Sequence, residues 1–149
     1  MGSVPSAKKL ASMKISDLSE LVTQIKSKSP DAINRIKQLP NFKKIEVSEN
    51  QWTLLHLASW YGNYPLCKEL IKLGIDSNSL DNHKETPLHL AAWRGHFKTV
   101  KALLSTSDIA KVNVKGESAK DLARGKGYKD IVELIESFKE KALTVQELI

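Results

Sequence analysis

Apolar residues in this chain recur at helical spacing in a series of short segments, each followed by polar or glycine-bearing punctuation. Leu18, Leu21, Val22 and Ile25 share one face, as do Ile33, Ile36 and Leu39. Further along, Leu66, Cys67, Leu70 and Ile71 do the same, and Phe97, Val100, Leu103 and Leu104 lie opposite Lys98 and Lys101. Between these longer stripes sit compact segments such as Leu88, Ala91, Ala92 and Gly95, whose small residues let neighbouring helices approach closely. Thr86 is placed to cap such a helix and Pro87 to occupy its first position, where a missing N–H costs nothing. Pro65 opens the helix carrying Cys67, and Gly74 supplies the left-handed residue that ends it. Ile75 to Glu85 is too short and polar for a helix and is expected to form an extended, turning finger. The unit these signals predict is a pair of antiparallel helices followed by a finger.

The unit repeats. Thr53-Leu54-Leu55-His56-Leu57-Ala58-Ser59-Trp60-Tyr61-Gly62 aligns on Thr86-Pro87-Leu88-His89-Leu90-Ala91-Ala92-Trp93-Arg94-Gly95 at a period of 33 residues, with Thr, Leu, His, Leu, Ala, Trp and Gly in the same order. A third unit runs from Gly116 through Ser118, Leu122, Ala123 and Gly127 into a helix with Tyr128, Ile131, Val132, Leu134, Ile135 and Phe138 apolar. Its Ser118 follows Thr86 by 32 residues, so its loop is one residue short. Upstream, Leu39 precedes Thr53 by 14 residues, close to the 15 between Ile71 and Thr86, which places the first helix pair in repeat register.

These motifs resemble the ankyrin repeat, whose units run Asp-x-x-Gly-x-Thr-Pro-Leu-His-Leu-Ala-Ala-x-x-Gly-His. The resemblance implies an all-α ankyrin-repeat solenoid of stacked helix-turn-helix units with finger loops, capped at both ends. Residues 1–12 are expected to be a disordered segment and 13–141 a single domain. Within it, 13–47 form a capping helix pair, 48–80 and 81–112 are repeats, and 113–141 is a C-terminal capping repeat with Lys120 and Asp121 in place of the motif Leu and His. Residues 142–149 are a tail or the start of a truncated helix, with Thr144-x-x-Glu147 in capping-box spacing. Gln51 and Lys84 stand where the family's finger glycine belongs, and Leu54 replaces its proline.

Composition narrows the function classes. The chain has 149 residues, 41% of them hydrophobic and only 6% aromatic, enough for a core of small aliphatics. Its net charge of +6 divides as +5 over residues 1–47 and +1 over the remainder, so the repeats carry no excess of base for nucleic acid. A lone cysteine excludes an internal disulfide, no apolar run approaches a membrane span, and Met1 to Ile15 lacks the apolar stretch of a signal peptide. An intracellular, cytoplasmic protein is expected, with nuclear or membrane association as alternatives, and a monomer.

No catalytic residues, cofactor or metal site are expected. The histidines show no ligand spacing, no cysteines cluster, and Gly125-x-Gly127 belongs to a repeat turn and not to a phosphate loop. By the resemblance, His56 and His89 brace turns between neighbouring repeats, and His96 is also a motif position. Cys67 reads as a small buried hydrophobe.

The candidate chemistry is recognition. By the resemblance, Trp52, Trp60 and Trp93 fall at variable positions lining the concave surface of fingers and inner helices, with Tyr61 and Arg94 adjoining. Trp, Tyr and Arg dominate binding hot spots because each carries a large, stiff contact area and a polar handle. His83 and Glu85 on a finger and Lys126 on an inner helix complete the candidate partner-binding set. Arg94, Arg124 and Lys126 are expected on the helix side, with Glu49, Glu85 and Glu117 along the fingers, which suits a partner carrying an apolar anchor flanked by acidic residues. Either the tryptophans bind a partner or Trp60 and Trp93 stack as inter-repeat packing.

A non-catalytic protein–protein interaction module, an adaptor or regulatory subunit, is the function expected. Two alternatives stand beside it. Met1-Gly2-Ser3-Val4-Pro5-Ser6 fits the N-myristoylation pattern at Gly2, with Lys8, Lys9 and Lys14 as a second, electrostatic signal, although a cloning remnant accounts for the same residues. The chain could also be the targeting module of a larger enzyme.

Overall fold

Three residues at one repeat position start three helices. Thr53, Thr86 and Ser118 each take extended backbone and accept the N–H of the residue three positions on, whose own side chain accepts the capping residue's N–H in return. In a computed structural model that describes residues 15–147, these begin α3 (Leu54–Trp60), α5 (Pro87–Arg94) and α7 (Ala119–Lys126). Each is followed by an antiparallel partner: α4 (Tyr64–Lys72), α6 (Phe97–Leu104) and α8 (Lys129–Glu147). A preceding pair, α1 (Ile15–Lys26) and α2 (Asp31–Lys37), and a short 3₁₀ turn at Phe42–Lys44 complete the described helices, and no strand occurs among the described residues. Residues 1–14, including Gly2, Lys8, Lys9 and Lys14 of the acylation pattern, lie outside the described residues, as do Leu148 and Ile149.

The helices stack in two layers. The inner layer runs α1, α3, α5, α7 and the outer layer α2, α4, α6, α8, each helix touching its neighbour in the layer and its own antiparallel partner. Ala58, Ala91, Ala92 and Ala123 are fully buried at the inner contacts, and Leu21, Ile25, Ile36, Leu54, Leu55, Leu70, Leu88, Leu103 and Ile131 fill the space between layers. Burying each of these larger side chains contributes roughly 1.5–3 kcal/mol, so the core is one continuous ribbon from the first pair to the last.

The turn between the helices of a unit is built on a left-handed glycine, Gly62, Gly95 or Gly127. The residue after each glycine starts the next helix. At two of these junctions a ring also covers the preceding unit's glycine. His96 packs over Gly62 and its Nε2 meets the Trp60 carbonyl at 2.9 Å, and the Tyr128 ring lies 2.7 Å from where a Gly95 Cβ would stand. Asn63 makes the corresponding link to the first pair, donating from Nδ2 to the Ile25 carbonyl at 3.0 Å while its Oδ1 accepts from Leu66 N–H.

Fingers are tied in the same register. His56 Nδ1 accepts the Thr53 N–H, which leaves Nε2–H to donate to the Glu85 carbonyl on the next finger at 2.9 Å. His89 repeats this with Thr86 and the Glu117 carbonyl at 3.1 Å. Burial lowers both imidazole pKa values, which keeps the rings in the neutral tautomer this pattern needs. Gln51 and Lys84 adopt the left-handed conformation of the absent finger glycine, at φ 63 and φ 58, alongside Gly116 at φ 75.

The last unit ends the stack with charge. Lys120, Asp121 and Arg124 occupy the positions of Leu88, His89 and Ala92, and they pair as Lys120–Glu136 at 3.8 Å and Arg124–Asp121 at 3.5 Å. Arg124 therefore belongs to the end face, bonded to its own helix, and not to the concave side where the charge pattern placed it. Helix α8 continues without a break to Glu147, and Thr144 lies inside it with its hydroxyl donating to the Glu140 carbonyl at 3.0 Å. Thr144 consequently caps no new helix; a threonine hydroxyl is satisfied as well by the carbonyl one turn back.

Candidate functional site

Residues at equal repeat positions become neighbours when repeats stack, and two tryptophans occupy one such position. Trp60 ends α3 and Trp93 sits one residue from the end of α5, and their rings stack at 5.4 Å between centroids and 13° between planes. Trp52, from the finger before α3, leans on Trp60 at 5.2 Å and 46° and donates its indole N–H to Asp81 Oδ2 at 3.1 Å. Gly125 takes the tryptophan position in the third unit, leaving Lys126 to sit over the Trp93 ring at 4.2 Å. Arg94 lies over Trp60 at 4.7 Å. The result is a ladder of three indoles along the inner face with two cations on its rings. Trp93 remains 37% exposed, and the indole N–H groups of Trp60 and Trp93 have no partner among the described residues.

Opposite the ladder stand the fingers. Asp81 Oδ1 accepts the N–H groups of His83 and Glu85 at 2.9 and 2.8 Å, and Asn113 Oδ1 does the same for Lys115 and Glu117 at 3.0 Å each, so one side chain shapes each finger tip. Adjacent tips join through Asn82 N–H to the Asn50 carbonyl and Val114 N–H to the His83 carbonyl, both 3.0 Å. Asn113 Nδ2 then reaches the carboxylates of both Glu85 and Glu117, at 3.5 and 3.3 Å. Burial pushes the Glu85 carboxyl pKa up despite the Asn113 amide, and the charges of Asp81 and Glu117 add to the rise.

Between ladder and fingers lies a groove of about 320 Å³ floored by Leu90 and Leu122. Of the residues singled out in the sequence, it gathers Trp52, Trp60, His83, Glu85, Trp93 and Glu117, while Arg94 and Lys126 flank it on the indole faces. Tyr61 is not part of it. It caps α3 at its C-terminus, packs against the core and receives Lys26 over its ring at 5.8 Å, because the unit preceding it is the first helix pair and not another tryptophan-bearing repeat. Leu90, Leu122, Asp81, Asn113, Val114 and Lys115 also line the groove and were not singled out. The signal for the first four was present: Leu90 and Leu122 share one repeat position, and Asp81 and Asn113 share another.

The groove's chemistry is that of contact. Asp81, His83 and Glu85 bring ligand atoms within 4.8 Å of one another, but the Asp81 oxygens already accept three N–H donors and the group serves the finger turn. Cys67 is buried at the α3–α4 contact beside Ser59, its thiol pKa pushed up to about 12 by burial, which leaves it unreactive. No described helix is long and apolar enough to cross a membrane.

A family model for ankyrin repeats, in three copies, matches residues 18–116 and 55–142. No curated protein matches the chain.

Proposed function

Since the chain belongs to the ankyrin repeat family, whose members generally act as protein–protein interaction modules and are typically non-catalytic, we propose that it is an adaptor or regulatory subunit gripping a protein partner in its concave groove. The observation that carries this reading is the indole ladder. Three tryptophans, all that the chain contains, meet on one face and line a groove with an apolar floor, and the N–H groups of two of them have no partner among the described residues. Mutual stacking holds the rings in place before any partner arrives, which lowers the entropy lost on binding. Arg94 and Lys126 carry positive charge on the ladder side without an ion-pair partner among the described residues, and they favour acidic flanks in the bound segment.

The test compares wild type with a Trp60→Ala, Trp93→Ala, Arg94→Ala variant in a pull-down from cell lysate, after thermal melts show that the variant folds. A protein retained by wild type and lost from the variant supports the reading and identifies partner and site together. A folded variant that retains the same proteins refutes it.

A further inference from the structure

The carboxylates in the groove run against the charge of the chain. Although the protein carries a net +6, Asp81, Glu85 and Glu117 all line the groove, and none forms an ion pair with a lysine or arginine among the described residues. Lys115 lines the same groove, is exposed and bonds to neither glutamate. Asp81 is spent on three N–H donors and adds negative charge without offering a free oxygen pair. Glu85 and Glu117, on successive fingers, converge on one Asn113 amide, which is itself a weak counterpart for two charges. Facing them across the groove are Trp93 and the Leu90 and Leu122 floor.

Resting on the reading that the concave groove takes a protein partner, we propose that this pocket receives an arginine side chain of that partner, followed or preceded by an apolar residue. An arginine matches both walls at once. Its methylene stem lies along apolar surface while its head reaches polar groups beyond. Its planar guanidinium presents donors in a fork that two carboxylates can share, whereas a lysine ammonium is a compact point charge that bridges them less well. The half-buried setting strengthens the pairing relative to one made in open water. The volume of about 320 Å³ accommodates one such side chain and an apolar neighbour. The acidic flanks favoured by Arg94 and Lys126 belong to the other rail of the groove, so the bound segment carries charge of both signs, sorted by side.

The experiment selects random nonapeptides displayed on phage against the full chain, then measures synthetic versions of the selected peptides by fluorescence polarisation with arginine, lysine or neutral citrulline at the enriched position. Enrichment of arginine beside an apolar residue is expected, with citrulline weakening binding by about tenfold or more and lysine falling between. In a Glu85→Gln, Glu117→Gln variant, arginine and citrulline peptides should bind alike. Because the citrulline exchange is made in the peptide, that comparison does not depend on how any protein variant folds. Selected peptides without arginine that still require Trp60 and Trp93 would overturn this assignment and leave the concave-face reading intact. Peptides indifferent to the tryptophans, or no selected peptide at all, would overturn both, and an arginine preference that survives in the Gln variant would overturn the pocket.

Discussion

Acidification should loosen the stack through its two interior histidines. His56 and His89 are fully buried, and each ring holds one arrangement: Nδ1 accepts from the capping threonine's N–H, and Nε2–H donates to a carbonyl of the next finger. A proton on Nδ1 would face a donor, and a buried imidazolium would lose its hydration. Burial accordingly lowers both pKa values below the ordinary 6.5. Above about pH 7.5 neither the folded nor the unfolded chain binds these protons, so stability is at its full value. Below pH 6.5 the unfolded chain takes them up while the folded chain does not, and stability falls until the folded pKa values are reached. Each histidine contributes a slope of at most about 1.4 kcal/mol per pH unit in that window, so the pair contributes up to about 2.7 kcal/mol per unit. Partly exposed His96 acts in the same direction. Glu85 acts in the opposite one, because its raised carboxyl pKa lets the folded chain bind a proton first, and a Glu85→Gln background removes that contribution. Urea unfolding at a series of pH values measures the slope, and His89→Gln should take away up to half of what His56 and His89 supply. A stability that stays level from about pH 7.5 to about pH 5, or a slope unchanged in His89→Gln, would refute the reasoning.

Other outcomes follow from backbone and burial. Gly125 lies inside α7 with open space around a would-be Cβ and no left-handed backbone, so Gly125→Ala should stabilise by about 0.5–1 kcal/mol, a rise in melting temperature of roughly 1–4 °C. Gly95→Ala meets a left-handed φ of 77 and the Tyr128 ring at 2.7 Å, and should cost about 2–4 kcal/mol in the same denaturation assay. Lys84→Gly relieves a left-handed lysine at φ 58 and, after the greater freedom of glycine in the unfolded chain, should gain about 0.5 kcal/mol. The Cys67 thiol, fully buried with a pKa near 12, should react with a thiol reagent in denaturant and not in the native protein, and native reactivity on the timescale of mixing would show that α3 and α4 part locally.

The scaffold was legible because its signals are local and repeated. A capping threonine, a proline at the first helical position and a glycine at the turn each specify backbone within a few residues, and their return after 33 positions specifies the stack. The ankyrin repeats and the all-helical solenoid expected from them are both found. Side-chain direction was less legible. Tyr61 and Arg94 hold the same repeat position, yet Arg94 lies over Trp60 while Tyr61 packs toward the first helix pair, because the units preceding them differ. Arg124 went to the end face for a related reason: its equivalents, Ser59 and Ala92, are buried against a following repeat that the third unit does not have. Leu90 and Leu122 read as core, like any apolar residue in a helix, and only the assembled groove shows that a floor is also a surface.

Packing and binding are not competing roles for the tryptophans. Stacking makes Trp60 and Trp93 meet because they are one repeat apart at one position, and it covers their faces with each other and with Lys126. What it leaves for a partner is the N–H of Trp60 and of Trp93, neither bonded among the described residues, and the exposed part of Trp93. Recognition by this ladder would therefore rest on hydrogen bonding and lateral contact more than on an open aromatic face, and cations already on the rings would discourage a second cation there. A partner's positive charge is directed instead to the finger carboxylates, across the groove. The two rails thus sort an incoming segment by charge, and the indoles, immobilised by their own packing, set its position between them.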